Sequence, residues 1–225
     1  MLLAEDLLLL VTDDASGRLT TDGAQVAAGL GGANLLELTL LGKVDVSGEQ
    51  DPGRRGRIIV RDPSPPGDDV LGAALRILVE RQGRKPSAVI RPLGKNLRAV
   101  LYQRLVGRGV LRAQQRRVLG IFPTRTWPAQ DSSRKAEVRR LVTQALVDTA
   151  APNERTAALI ALLHALKCEH KVVDPRAYQL SRRQLRDRAG QIAQGNWASE
   201  AVRKAIDEMI AAVAAASAAA TASSG

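Results

Sequence analysis

KNLRAVLYQRLVGRGVLRAQQRRVLGIFPTRTWP, Lys95 to Pro128, is the stretch against which the rest of the chain is read. Leu97, Leu101 and Leu105 recur at i, i+4 and i+8, with Val100 and Tyr102 beside them, which predicts a helix with one apolar face. Lys95, Arg98 and Arg104 fall largely off that face. Gly107 and Gly109 end it, since glycine takes the left-handed cap without strain. Val110–Leu111 and Val118–Phe122 read as two strands joined through the cationic turn Gln114–Arg117. The loop after them carries Phe122, the single Phe of the chain, and Trp127, one of its two Trp. Positive charge beside exposed aromatic surface suits an anionic surface better than a small-molecule pocket.

Around this segment, 225 residues make one large domain or two small ones, enough for a sizeable core. With 45% apolar and 25% charged residues the composition is that of a globular protein, and 2% aromatic content means an aliphatic core. A formal net charge of +10 points to a polyanionic partner, either nucleic acid or an anionic membrane. Arg and Ala enrichment from a GC-rich genome would produce part of the same excess. The single cysteine, Cys168, forms no intrachain disulfide, fits a reducing compartment, and reads as a small buried helix residue. No apolar run approaches the ~20 residues of a membrane span. Leu7–Val11 is too short and is flanked by Glu5, Asp6, Asp13 and Asp14, so any membrane contact is expected to be peripheral.

In chain order, Met1–Val11 reads as a buried helix stopped by Asp13, Asp14 and the Ser16-Gly17 turn. Asn34 and Glu37 have the spacing of a capping box, with Gly42 as C-cap, so a short core helix is expected over 34–42. Lys43–Ser47 and Arg57–Arg61 alternate as strands. The prolines of Asp62–Asp69 forbid helix, Val70–Arg81 is an amphipathic helix with Leu71, Leu75 and Leu78 inward, and Ser87–Ile90 leads into the focal helix. Ser132 and Ser133 cap a helix over Arg134–Thr149 with a cationic outer face. Glu154–Lys167 is apolar enough to be central. A charged helix is expected over Arg176–Gln194, then a last helix 197–216 that packs Trp197 inside, then a disordered Ala/Ser tail at 217–225. The expected fold is mainly α: one globular domain over 1–216, with a buried central helix, surrounding amphipathic helices and short β-hairpins.

Catalysis finds little support. His164 and His170 lie in no metal-ligand spacing, and one cysteine makes no zinc cluster. Asp13-Asp14 and Asp68-Asp69 suit turns rather than acid–base work. No enzyme activity, metal or cofactor is therefore expected. A phosphate is best held by cations converging from different elements, and the candidates are Arg18, Lys95, Arg98 and Arg91. Trp127, flanked by Phe122, Pro123, Arg125 and Pro128, has no apolar periodicity to bury it. It sits either at a membrane interface or over the domain's own core.

Leu2–Leu10 (LLAEDLLLL), Ala28–Leu38 (AGLGGANLLEL), Gly42–Val46, Lys95–Leu111 and Glu154–Ala165 (ERTAALIALLHA), in this order and spacing, resemble the Golgi phosphoprotein 3 family and its bacterial relatives. The resemblance implies a mostly helical, single-domain peripheral membrane protein. It also implies binding of phosphatidylinositol 4-phosphate and retention of glycosyltransferases by their cytosolic tails. The pocket it implies takes a Trp from the first loop, an Arg from the glycine-rich turn and two basic residues from a helix. The two helix positions fall on Lys95 and Arg98; the Arg position falls on Gly31 and the Trp position on Asp22 or a neighbouring Thr. Arg18 is the one cation of the same loop that would substitute. A membrane-inserting hairpin, also a route to homo-oligomers, corresponds to Val118–Pro128, with Phe122, Arg125 and Trp127 within it.

Besides a scaffold that binds acidic protein tails, two function classes stay open at this point. One is a cytoplasmic, non-enzymatic protein docked peripherally on anionic lipid. The other is a nucleic-acid binder of winged helix-turn-helix type, suggested by the helix–strand–basic loop–strand pattern at Asn34–Arg61 and again at Lys95–Phe122. The segment Asn34–Leu41 is apolar on every side, whereas a recognition helix must show polar groups to base edges; the focal helix is better suited to that role.

Overall fold

The computed structural model describes residues 1–49, 51, 54–118, 122–148, 150–195, 207–208 and 210–215. Its first element, α1 (Leu3–Leu10), is buried at every position, Glu5 and Asp6 included. A helix apolar on all sides finds no stable place at a surface, and α1 packs against α2 (Gly23–Leu40), α5 (Leu97–Gly107), α6 (Ser133–Val147) and α7 (Glu154–Ala165). The protein is mainly helical with a buried centre, as the sequence predicts. That centre is α1, α2 and α7 together rather than the 154–167 segment alone, and the buried apolar residues form one cluster.

The short core helix expected over 34–42 is the second half of the 18-residue α2. Its cap is Asp22, whose carboxylate accepts from the amides of Ala24 at 2.8 Å and Gln25 at 3.0 Å. Asn34 lies buried in mid-helix, and Glu37 accepts from the Leu3 amide instead of closing a capping box. Gly31, in the middle of α2, is there because α4 (Ser87–Gly94) lies against α2. A methyl on Gly31 would sit 2.2 Å from the Ile90 carbonyl oxygen, and one on Gly94 would sit 2.0 Å from that of Ala27. A glycine inside a helix costs about 1 kcal/mol relative to Ala. Here it permits an approach of two backbones that any side chain would block.

Strands β1 (Val44–Val46) and β2 (Ile58–Val60) pair antiparallel, Val44 opposite Val60, as their alternation predicts. Helix α3 (Asp69–Glu80) buries Leu71, Leu75 and Leu78, also as expected. Asp68 caps α3 by accepting from the Val70 amide at 2.9 Å, and it receives both terminal nitrogens of Arg104, at 2.9 and 2.6 Å. The Arg104 hydrogen bonds hold the Asp68 carboxyl below its ordinary pKa. A carboxyl depressed in the folded state adds stability above its unfolded value and loses it as pH falls through the folded value. Asp68→Ala is therefore expected to cost about 1–2 kcal/mol at neutral pH and to flatten the acid limb of stability against pH, read by urea titration between pH 7 and 3.

Four further expectations are corrected. Helix α4 ends before Lys95, and Asn96 takes the left-handed conformation at φ 59°, so the focal helix begins at Leu97 and Lys95 stands outside it. The segment expected as a turn, Gln114–Arg117, is itself strand: β3 (Gln114–Val118) pairs with β4 (Phe122–Thr126), Gln114 opposite Thr126. Glutamine and arginine are tolerated there because a two-stranded ribbon exposes both edges to solvent. The charged run 176–194 divides into a 3-10 turn at Pro175–Tyr178 and α9 (Arg182–Gln194), which opens with a Ser181–Gln184 capping box; before them stands the short α8 (Glu169–Val172). At α6 the capping acceptor is Asp131, to the Ser133 amide at 2.9 Å, rather than Ser132.

Residues 207–208 and 210–215 are helical, with Ala212 and Val213 buried. Trp197 and the Ala/Ser tail lie outside the described residues. Among the described residues no helix is long and apolar enough to cross a membrane.

Candidate functional site

Three buried acids decide which cations are left for function. Glu5 is fully buried and faces Arg104 at 3.1 Å and Arg108 at 2.9 Å. Asp6 accepts a fork from Arg134, at 2.9 and 2.8 Å, and a further contact from Arg155 at 3.2 Å. Glu37 takes Arg155 at 2.6 Å. Carboxylates removed from water require such partners, since the desolvation penalty is several kcal/mol per ion. The expectation of a cationic outer face on α6 is corrected accordingly at its start. Lys135 is buried, donating to the Thr12 carbonyl and to Asp14 at 2.7 Å, and Arg134 turns to Asp6.

Arg18, Arg91, Lys95 and Arg98 are exposed, and none of them enters an ion pair among the described residues. Arg98 stands in the first turn of α5 and reaches the opening of α2: its terminal nitrogen is 2.8 Å from where a methyl on Gly23 would be. That helix end carries partial positive charge of its own, and the Asp22 carboxylate is its cap. Lys95 lies three residues before Arg98, beyond the left-handed Asn96. Arg91 is one turn earlier, on α4. Arg18 belongs to the loop between α1 and α2, which is clamped to the Trp127 segment. The Trp127 amide donates to the Gly17 carbonyl at 3.0 Å, and the Ala129 amide to that of Asp14 at 2.9 Å. Gly17, at φ +66°, leaves no room for a side chain, since a methyl there would be 2.2 Å from the Pro128 nitrogen. Arg98 and Arg18 are thus brought to elements that touch one another, the α1–α2 loop and the α2 N-terminus.

Trp127 packs in part over the domain's own core. Its ring stacks flat on Tyr102, centroids 4.0 Å apart and planes 1° from parallel, and it is half-buried. Tyr102 is buried, its hydroxyl 2.9 Å from the Thr12 hydroxyl, and burial pushes its pKa up. Trp127 also lines a surface groove with Ala99, Gln103, Val106, Gln114 and Arg125, between α5 and the β3–β4 ribbon. Arg125 is exposed; Phe122 is in β4 by its backbone, and its side chain lies outside the described residues. The sequence reading missed Tyr102 as the platform under the indole. Its signal is the spacing: it follows Arg98 by four residues, hence on the same side of α5.

The remaining chemistry is structural. His164 Nδ1 lies 2.9 Å from Glu169 Oε1, across the α7–α8 connection. Cys168 is buried, as expected, and burial pushes its thiol up to about 12. Among the described residues no group of three or more His, Cys, Asp or Glu side chains is placed to hold a metal ion.

Fold and site together define a mainly helical protein that shows, among the described residues, a core of three buried helices, two small hairpins, and cations in no ion pair beside a half-covered indole. The chain belongs to the Golgi phosphoprotein 3 (GPP34) family, whose model matches residues 3–209. It is similar to vacuolar protein sorting-associated protein 74 of Eremothecium gossypii, 26% identical over an alignment of 212 residues that covers 79% of this chain and 62% of the relative. The chain therefore spans about three fifths of the length of that curated relative.

Proposed function

We propose that this chain is a non-enzymatic adaptor that docks peripherally, from the cytoplasmic side, on membranes carrying anionic phospholipid headgroups. Arg98 and Lys95, with Arg91 and Arg18 around them, meet lipid phosphates. Trp127, with Arg125 and Phe122 of the hairpin, lies at the interface. The observation that carries this reading is that those cations enter no ion pair among the described residues, in a protein that turns Arg104, Arg134 and Arg155 inward onto acids. Cytosolic tails of membrane proteins are its proposed clients, and the hairpin its proposed route to homo-oligomers. Phosphatidylinositol 4-phosphate is the headgroup suggested by the family. Gly31 is buried under Ile90, however, and the Asp22 carboxylate already satisfies the α2 amides. The proposal is therefore a surface that reads negative charge more than headgroup identity.

A winged helix-turn-helix reading over Asn34–Leu41 is disfavoured because six of its eight residues, 34–39, are buried. The test is flotation with phosphatidylcholine vesicles containing phosphatidylglycerol or phosphatidylinositol 4-phosphate, with duplex DNA as competitor. One cation near an anionic leaflet contributes about 1 kcal/mol. The double reversal Lys95→Glu with Arg98→Glu should thus weaken binding by at least about thirtyfold. Equal flotation of the double variant, or displacement by DNA at stoichiometric amounts, would sink the assignment.

A further inference from the structure

A second group of cations lies outside this rim, at the corner where α8 leads through the 3-10 turn into α9. Lys171 and Arg182 are exposed and enter no ion pair among the described residues, and half-buried His170 lies within electrostatic reach of both. The acid beside it, Glu169, is itself buried and held by His164. Between Lys171 and Arg182 the chain presents Arg176, exposed, and Tyr178, which is 45% exposed although most large apolar side chains are covered. Cations interleaved with an exposed tyrosine are the composition of an interfacial surface. The corner is also joined to the first rim. Lys171 Nζ donates to the Thr20 carbonyl at 2.6 Å, Thr20 lies in the loop between Arg18 and Asp22, and Gly23 lies under Arg98.

We propose that the Lys171–His170–Arg182 corner is a second contact with the anionic bilayer, continuous with the Arg98 rim through residues 18–22, and that protonation of His170 strengthens it. The proposal rests on the membrane-docking reading above and adds to it a wider footprint and a dependence on pH. The charges acting on His170 are Arg182 from α9 and Lys171 and Glu169 from its own helix. Burial first, then Arg182 and Lys171, hold its imidazole below the ordinary value, against the smaller opposing effect of Glu169. It is therefore mostly neutral at neutral pH. A sheet of lipid phosphates offsets both cations and raises the imidazole's pKa, so docking takes up a proton. A group whose pKa is higher in the bound state adds affinity that is complete below the free value and lost as pH rises through the bound one.

The experiment is flotation of the full chain with phosphatidylcholine–phosphatidylglycerol vesicles at pH 7.5, 6.5 and 5.5, a range in which the lipid phosphodiester stays ionised. One additional cation at such a surface corresponds to about a fivefold gain in affinity. The wild type should gain about that factor between pH 7.5 and 5.5, His170→Gln should stay near the wild-type level of pH 7.5 throughout, and Arg182→Glu should bind at least about fivefold more weakly at every pH. An acid gain that persists in His170→Gln, or an Arg182→Glu variant that floats like wild type, overturns the proposal. Arg182 is exposed, so that arm does not depend on a substitution inside the fold. The Lys95→Glu, Arg98→Glu double variant separates the two readings. If it loses binding while the His170 arm is flat, the corner alone is wrong. If it floats normally while Arg182→Glu does not, the first rim is wrong. Absence of flotation at any pH removes both.

Discussion

Arg104→Met should lower the free energy of unfolding by about 3 kcal/mol, the lower end of the range for severing a buried ion pair, since the arginine keeps some contact with water. Arg104 stands between two acids. Its Nε lies 3.1 Å from Glu5, which has no access to solvent, and its fork holds Asp68 at the start of α3. Both acids hold the guanidinium's pKa above its ordinary value, Asp68 more strongly. Truncating the arginine leaves Glu5 with Arg108 alone, half-exposed and 2.9 Å away. Urea denaturation at pH 7 measures the loss. Adding Glu5→Gln to the same background should recover about 1 kcal/mol or more, because the uncompensated charge is then gone. A loss below about 1 kcal/mol, or no recovery, would mean that solvent screens these pairs.

Gly94→Ala should cost about 3 kcal/mol or more, the upper end of overpacking penalties. The added methyl would lie 2.0 Å from the Ala27 carbonyl oxygen. The obstacle is main chain inside α2, which no change of rotamer can move. Helix α4 would have to lift off α2, and Lys95, the next residue, would move with it. The comparison is Gly107→Ala, a helical position with nothing within 4 Å of the added methyl. It is expected to be neutral or to stabilise by up to about 1 kcal/mol. Thermal melts of the two variants give the contrast, and vesicle flotation of Gly94→Ala shows whether the rim depends on the α2–α4 crossing. Equal melting temperatures would mean that the crossing relaxes without cost.

Where local pattern and burial agree, the elements were legible. Leu71, Leu75 and Leu78 face inward on α3, the alternating β1 and β2 pair, and α7 is apolar and buried over residues 157–163. Where a residue serves a distant neighbour, local reading failed. Gly31 looks like a helix break and is instead the place where α4 reaches its backbone. Asn34 and Glu37 have the spacing of a cap, yet the cap is Asp22, twelve residues earlier than Asn34. Arg116 and Arg117 look like a turn and are strand, because a ribbon open at both edges does not require apolar residues. The site divides in the same way. Lys95 and Arg98 were legible as basic positions, but nothing local distinguishes Arg98 from Arg104, six residues on. One lies beside the α2 N-terminus with no ion pair among the described residues; the other closes on Glu5 and Asp68.

The order of residues was enough to establish a mainly helical, aliphatic-cored chain with an excess of positive charge, because hydropathy period and composition act over one or two turns at a time. Folding settled which of those charges remain available and which face of Trp127 is covered. Both depend on acids and rings brought together from segments up to about a hundred and fifty positions apart, such as Asp6 with Arg155. The buried carboxylates of α1 draw in Arg104, Arg134 and Arg155 because a bare charge in the interior costs more than ordering a long side chain. Arg18, Arg91, Lys95 and Arg98, beyond their reach, are left facing water.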